Sequence, residues 1–193
     1  MQCITHISVA NALSLVSLRP TSIGGLVSTV VGASFGGGIP DYDANKNKKA
    51  DYFLIGGGLL LIIAFIIGYI FNIKCLIIDD KPLYTVITGI ILILVTCLYG
   101  RRMGHRTFLH SICGLAIFSL IFYFCLTPLF ISFVISMVSH ILLDITTIKQ
   151  VKVFYPSNYG ISLKKSVYNG KLNKILLFLS LIINIIYIIV FIW

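Results

Sequence analysis

The chain has 193 residues, 58% of them hydrophobic and 11% charged, with a mean hydropathy of +1.02, which excludes a soluble globular domain. Its net charge of +9 does not point to nucleic acid, because the lysines and arginines sit mainly between apolar runs, as in the cytoplasmic loops of membrane proteins. The five cysteines (Cys3, Cys75, Cys97, Cys113 and Cys125) show no CxxC spacing, which argues against a thiolate metal site or a disulfide framework.

In chain order, the apolar stretch 5–35 is interrupted by Arg19-Pro20. Proline suits the first turn of a helix and not its interior, so the stretch predicts two short helices, 5–18 and 21–36. Each would be about 14 residues, or about 21 Å, short of a hydrocarbon core of about 30 Å. They form a shallow or re-entrant hairpin in this reading, with one tilted span as the alternative. The N-terminus lacks a basic n-region and a cleavage site, so it does not read as a removable signal peptide.

The turn-like run Gly36-Gly37-Gly38-Ile39-Pro40-Asp41-Tyr42-Asp43 leads into a polar segment at 44–51. Five apolar runs follow, at 53–71, 83–99, 108–126, 129–145 and 175–193. The expected fold is all-α: one integral-membrane domain over 1–193, a polytopic transmembrane bundle of five full spans plus the N-terminal hairpin.

Charge sets the orientation. The segments 44–52, 101–106 and 147–174 hold twelve of the fifteen basic residues, and alternating spans place all three on one side. The positive-inside rule makes that side cytoplasmic. Asp41, Asp43, His105, His110, His140 and Asp144 then converge near the same face. His6 joins them only if 5–36 is a hairpin.

That convergence carries chemistry. The chain has no glutamate, six aspartates and four histidines, and such groups at a membrane edge are expensive unless paired, ligated or wetted. His140 and Asp144 are at i,i+4 on one helix face. His105 and His110 are five apart, about 140° around a helix, so His105 is placed in the loop and His110 one turn into the next helix. Three histidines and three aspartates suit zinc first and manganese second. They exceed what one tetrahedral zinc needs, so one or two ions are expected. Such ions would activate a water and clamp ester or phosphoryl oxygens, with Arg106 neutralising charge on the substrate. The bland readings are a capped loop at Asp41 and Asp43, a helix-stabilising His140–Asp144 pair and a satisfied amphipathic His6.

These pieces, in this order, resemble the YdjM-like family of bacterial inner-membrane proteins, described as predicted metal-dependent hydrolases and regulated by LexA in some members. Pro40-Asp41-Tyr42-Asp43 resembles a PDxD motif, and Gly104-His105-Arg106 through His110-Ser111 resembles GHRGxTHS. Ser139-His140 through Asp144 resembles SHxxxD, and Tyr155-Pro156 falls where the family has an aromatic-proline pair. The resemblance covers 1–165, leaving only part of the basic segment and last span of 147–193 beyond it. Thr107 stands where the family has glycine, and Leu109 where it has threonine.

The resemblance implies a metal site of His6, Asp41, Asp43, His105, His110, His140 and Asp144, with Arg106 and Asp144 as catalytic candidates. The expected function is a multi-pass hydrolase of the bacterial cytoplasmic (inner) membrane, its site near the cytoplasmic face. Its substrate would be a phosphoester or acyl ester, in a lipid or lipid-linked molecule reached from the bilayer. The alternative is a non-catalytic protein that binds or transports divalent metal.

Overall fold

The Arg19-Pro20 interruption turns the chain back on itself. In the computed structural model, which describes residues 2–44, 81–164 and 170–193 and eight positions between 55 and 70, helix α1 (Cys3–Leu18) stops at Arg19. That residue adopts the left-handed conformation, φ 45° and ψ 57°, and its N–H donates to the Leu15 carbonyl, a helix-terminating arrangement. Ser22 then caps α2 (Ile23–Gly38), its hydroxyl accepting from Gly25 N–H at 3.1 Å. The two helices pack antiparallel so closely that a Cβ on Gly37 would lie 2.9 Å from Ile7 Cα. The stretch is a hairpin, and the single-span alternative is excluded.

After α2 a 3-10 turn, Pro40–Ala44, carries both aspartates. The expected span at 53–71 lies largely outside the described residues; the eight described positions within it are helical. Helix α3 (Leu83–Arg102) follows, then a 3-10 turn at Phe108–His110, α4 (Ile112–Cys125), α5 (Thr127–Ile145) and α6 (Lys171–Ile192). Ile23–Ala44, Leu83–Arg102, Thr127–Ile145 and Lys171–Ile192 are long and apolar enough to cross a membrane, and α1 and α4 are shorter apolar helices. The molecule is an all-α transmembrane bundle.

Two boundaries differ from expectation for local reasons. The run 108–126 does not begin as a regular helix: Ser111 caps α4 by accepting from Gly114 N–H at 3.1 Å, so His110 lies just outside the helix rather than one turn inside it. Thr127-Pro128, which separates the apolar runs 108–126 and 129–145 in the sequence, opens α5, with proline in its first turn.

Packing follows side-chain size. Gly32 and Gly36 sit one turn apart on α2, and a Cβ on either would collide with α5 backbone at Leu129 or Phe133. Small residues allow this close approach where lipid gives no hydrophobic drive for helix association. Beyond that seam Phe118, Phe122, Phe133 and Met137 fill the interior, with the Phe122 and Phe133 rings stacked at 4.0 Å.

Helix α6 runs parallel to α1 along a polar seam. Gln2 N–H donates to Asn173 Oδ1 at 3.1 Å, Ser180 donates to Ser8 at 2.8 Å, and Asn184 donates to the Ser8 carbonyl at 3.1 Å. Most of the remaining α6 side chains beyond Lys174 are exposed and apolar, including Phe178, Ile185 and Val190, as lipid contact requires.

Helices α1, α4 and α6 start and α2, α3 and α5 end on the same side, so the start of α1, the end of α2, the α3–α4 link and the end of α5 gather at one end of the bundle. The segment 146–164 folds over that end. Val151 and Ile161 exchange backbone hydrogen bonds at 2.9 Å, Ile112 N–H donates to the Val153 carbonyl at 2.9 Å, and Leu163 N–H to Ile145 at 2.8 Å. The Tyr155-Pro156 peptide bond in this segment is cis.

Candidate metal centre

Every expected donor residue arrives at that end. His6 is delivered by the first turns of α1, Asp41 and Asp43 by the 3-10 turn after α2, and His140 and Asp144 by the last turns of α5. His105 lies in the α3–α4 link, and His110 ends its 3-10 turn. His6, His110, His140 and Asp144 are 0% exposed and Asp43 is 1% exposed, whereas the His105 side chain is 32% exposed. His105 and the partly exposed Asp41 are the accessible edge of an otherwise enclosed cluster.

The donors fall into two neighbouring groups, each able to hold a metal ion: His6, Asp41, His140 and Asp144, and beside them Asp43, His105 and His110. His110 links the two, its Nδ1 lying 3.4 Å from Asp43 Oδ2 and its Nε2 3.3 Å from Asp144 Oδ2. The His6 and His140 rings stack at 3.8 Å. His6 Nε2 is 3.3 Å from Asp144 Oδ1, and His140 Nε2 is 3.8 Å from Asp41 Oδ1.

These separations bear on whether the group fits a metal. A charge-assisted hydrogen bond is about 2.7–2.9 Å long, whereas two ligand atoms each about 2.0–2.1 Å from a tetrahedral zinc lie about 3.3 Å apart. Most of the imidazole–carboxylate distances match the second value. Both nitrogens of His6 and of His110, His140 Nε2 and Asp41 Oδ2 are buried without a hydrogen bond among the described residues. Unsatisfied buried polar atoms are unfavourable, and a shared cation would satisfy several at once. The donor set therefore fits a divalent ion. His105 differs: its Nδ1 lies 2.5 Å from Asp43 Oδ1, a direct hydrogen bond.

Surrounding groups orient the donors. His140 Nδ1 is 2.9 Å from the Gly37 carbonyl. A carbonyl only accepts, so Nδ1 carries the proton and Nε2 presents its lone pair to the cluster. Gly37 supplies this oxygen from the hairpin's closest approach, so one glycine both packs α1 and aims a histidine on α5.

Arg106 was expected to face substrate, but the fold turns it onto Asp144. Its Nε lies 3.1 Å from Asp144 Oδ2 and its Nη2 3.1 Å from Oδ1, while Nη1 donates to Thr147 at 2.6 Å and to the Lys149 carbonyl at 2.8 Å. Its backbone is left-handed, φ 62°, which is uncommon outside glycine. Its N–H donates to Asp43 Oδ2 at 3.2 Å, and its carbonyl accepts from Lys152 N–H at 3.0 Å. Arg106 thus ties Asp43, Asp144 and the covering segment together.

Sequence reasoning passed over Thr147 and the Gly37 and Lys149 carbonyls. Thr147, three residues after Asp144, donates to the Asp144 carbonyl at 2.7 Å while accepting from Arg106, and a lone threonine beyond a helix end carries no distinguishing signal. Of the two departures from the GHRGxTHS pattern, Thr107 donates to the Gly104 carbonyl at 2.6 Å. Leu109 is fully buried at the place where a Cβ on Gly100 would stand. Both serve the link itself rather than a donor.

Comparison with curated proteins gives no match, and neither does comparison with solved structures. A family model described as YdjM inner membrane protein matches residues 1–193. The order of the motifs, the transmembrane bundle that gathers them and this match over the whole chain agree, and the protein belongs to the YdjM inner membrane protein family.

Proposed function

We propose that this protein is a membrane-embedded, metal-dependent hydrolase of phosphoesters or acyl esters in lipid or lipid-linked substrates. The observation that carries the reading is the enclosed cluster of imidazole and carboxylate groups in which both nitrogens of His6 and of His110 lack a hydrogen bond among the described residues and each Nε2 stands at co-ligand spacing from Asp144. His6, Asp41, His140 and Asp144 would hold one ion, zinc first and manganese second. Asp43, His105 and His110 would hold a second, after the His105–Asp43 hydrogen bond opens. A divalent ion bound there supplies an activated water and polarises the attacked oxygen.

The protein's own groups set the conditions for that chemistry. Arg106 holds Asp144 through two nitrogens, fixing both carboxylate oxygens against His6 and His110. We assign Arg106 to positioning and Asp144 to the catalytic centre it positions. His105 and Asp41, at the accessible edge, are where substrate enters and where a proton can leave to water. The fold 146–164 excludes water from the remaining donors.

Enclosure favours a second reading, a non-catalytic metal-binding membrane protein, because closed sites are typical of structural ions and catalytic sites keep a position open. Metal analysis of the purified protein beside His140→Ala tests the shared premise. We expect at least one equivalent of zinc or manganese in wild type and its loss in the variant, with His105→Ala retaining one equivalent. Wild-type protein that stays metal-free in non-chelating buffer overturns both readings. Loaded protein that hydrolyses nothing in a panel of phospholipids and lipid phosphates selects the second.

A further inference from the structure

The bundle has a cleft at the end away from the His/Asp cluster. It occupies about 550 Å³ between the α1–α2 turn and the last turns of α6, and it is lined by Val16, Arg19, Thr21, Tyr187, Val190 and Phe191. It arises because α1 ends at Leu18 in the left-handed turn at Arg19, while α6, in parallel register with α1, continues to Ile192.

Its composition is divided. Val16, Val190 and Phe191 make an apolar wall, and Arg19, Thr21 and the Tyr187 hydroxyl supply a cation and two hydroxyls. Arg19 has no carboxylate partner among the described residues. Its depth makes that consequential. Helix α1 has 16 residues, about 24 Å against a hydrocarbon core of about 30 Å. With His6 near one boundary, Arg19, thirteen residues on, lies about 10 Å inside the other, where its guanidinium snorkels toward the headgroups and is stabilised by an anion it can pair with. The ligand the cleft fits therefore has one negative group joined to a hydrocarbon chain and arrives from the bilayer.

We propose that this cleft binds one anionic phospholipid. Arg19 and Thr21 hold the headgroup phosphate, by guanidinium–phosphate pairing and a hydroxyl hydrogen bond, and an acyl chain lies along Val16, Val190 and Phe191. The site is separate from the metal centre and independent of the hydrolase reading. His6 and Arg19 are thirteen residues apart on one helix, about 20 Å.

The single tryptophan, Trp193, lies two residues beyond Phe191 and is fully exposed, so it reports on this end. The full chain is reconstituted in mixed vesicles, and quenching of Trp193 by brominated phosphatidylglycerol is compared with quenching by brominated phosphatidylcholine. Wild type should prefer the anionic lipid about fivefold, the scale of one arginine near a membrane surface. Arg19→Gln should lose the preference, Arg19→Lys keep part of it, and Thr21→Val weaken it. Metal content is measured on each variant as a check on folding and should not change. No preference in wild type, or full preference in Arg19→Gln, overturns the proposal. Abolition of the preference by millimolar inorganic phosphate assigns the site to the free ion and overturns the lipid assignment.

Discussion

Arg106 concentrates the residue-scale argument. Its guanidinium reaches Asp144 through two nitrogens and Thr147 and Lys149 through the third, a fork that lysine cannot reproduce. Arg106→Lys should therefore keep the charge and lose the alignment of Asp144. The expected outcome is a metal Kd raised about 10–100-fold, the usual consequence of removing a group that orients a ligand, measured by competition with a chelating dye. Arg106→Ala leaves the buried carboxylate without its cation and should destabilise the metal-free protein by about 3–5 kcal/mol, seen in thermal unfolding. A lysine variant with wild-type affinity would show that the arginine does not position Asp144. Scarcity of acids and histidines in an apolar chain made the donors legible, but the sequence alone pointed Arg106 toward substrate. Its actual direction depends on Thr147 and the Lys149 carbonyl, which no spacing marks. His6 was legible only through the break at Arg19-Pro20, because its inclusion depends on the hairpin.

At the scale of elements, the cluster is assembled by close approach of α2 to α5 and α1. Gly36 lets α2 touch α5, where a methyl group would meet the Phe133 carbonyl and Ser136. Gly36→Ala should therefore push the helices apart, moving Asp41 and Asp43 away from His140 and Asp144. Overpacking of this kind costs about 1–3 kcal/mol, and metal retention should fall with stability. Gly24, on the same helix with nothing within 4 Å of a Cβ, supplies the control. Gly24→Ala should leave metal content unchanged and be neutral or stabilising by up to about 1 kcal/mol, measured by unfolding in the same detergent. Equal behaviour of the two variants would remove the packing explanation. Helix existence could be read from apolar runs, and the α1–α2 break from Arg19-Pro20. The start of α4 could not, because apolar Phe108 and Leu109 lie in a 3-10 turn and Ser111 caps the helix behind them. Hydropathy does not register the hydroxyl that sets such a boundary.

For the whole molecule, helix direction and charge make a joint prediction about sidedness. Among the described residues, Arg101, Arg102, Arg106, Lys149, Lys152, Lys164, Lys171 and Lys174 lie at the end that holds the donor cluster. Arg19 and Lys81 lie at the other, where Lys81 donates to the Phe124 carbonyl near the end of α4 at 3.0 Å. An asymmetry of eight to two among described basic residues is what the positive-inside rule reads, and the prediction is that the cluster faces the cytoplasm. The packing makes this testable with two sites, because Ser22 in the α1–α2 turn and Ser157 in the covering segment are both exposed and at opposite ends. In a background with all five cysteines replaced, Ser22→Cys in intact cells should react with a membrane-impermeant maleimide. Ser157→Cys should react only after the membrane is opened. Reversed labelling would invert the orientation while leaving the bundle intact, and a lipid substrate would then have to come from the outer leaflet. Labelling of both sites in intact cells would contradict the bundle itself, since its helices place the two serines on opposite sides.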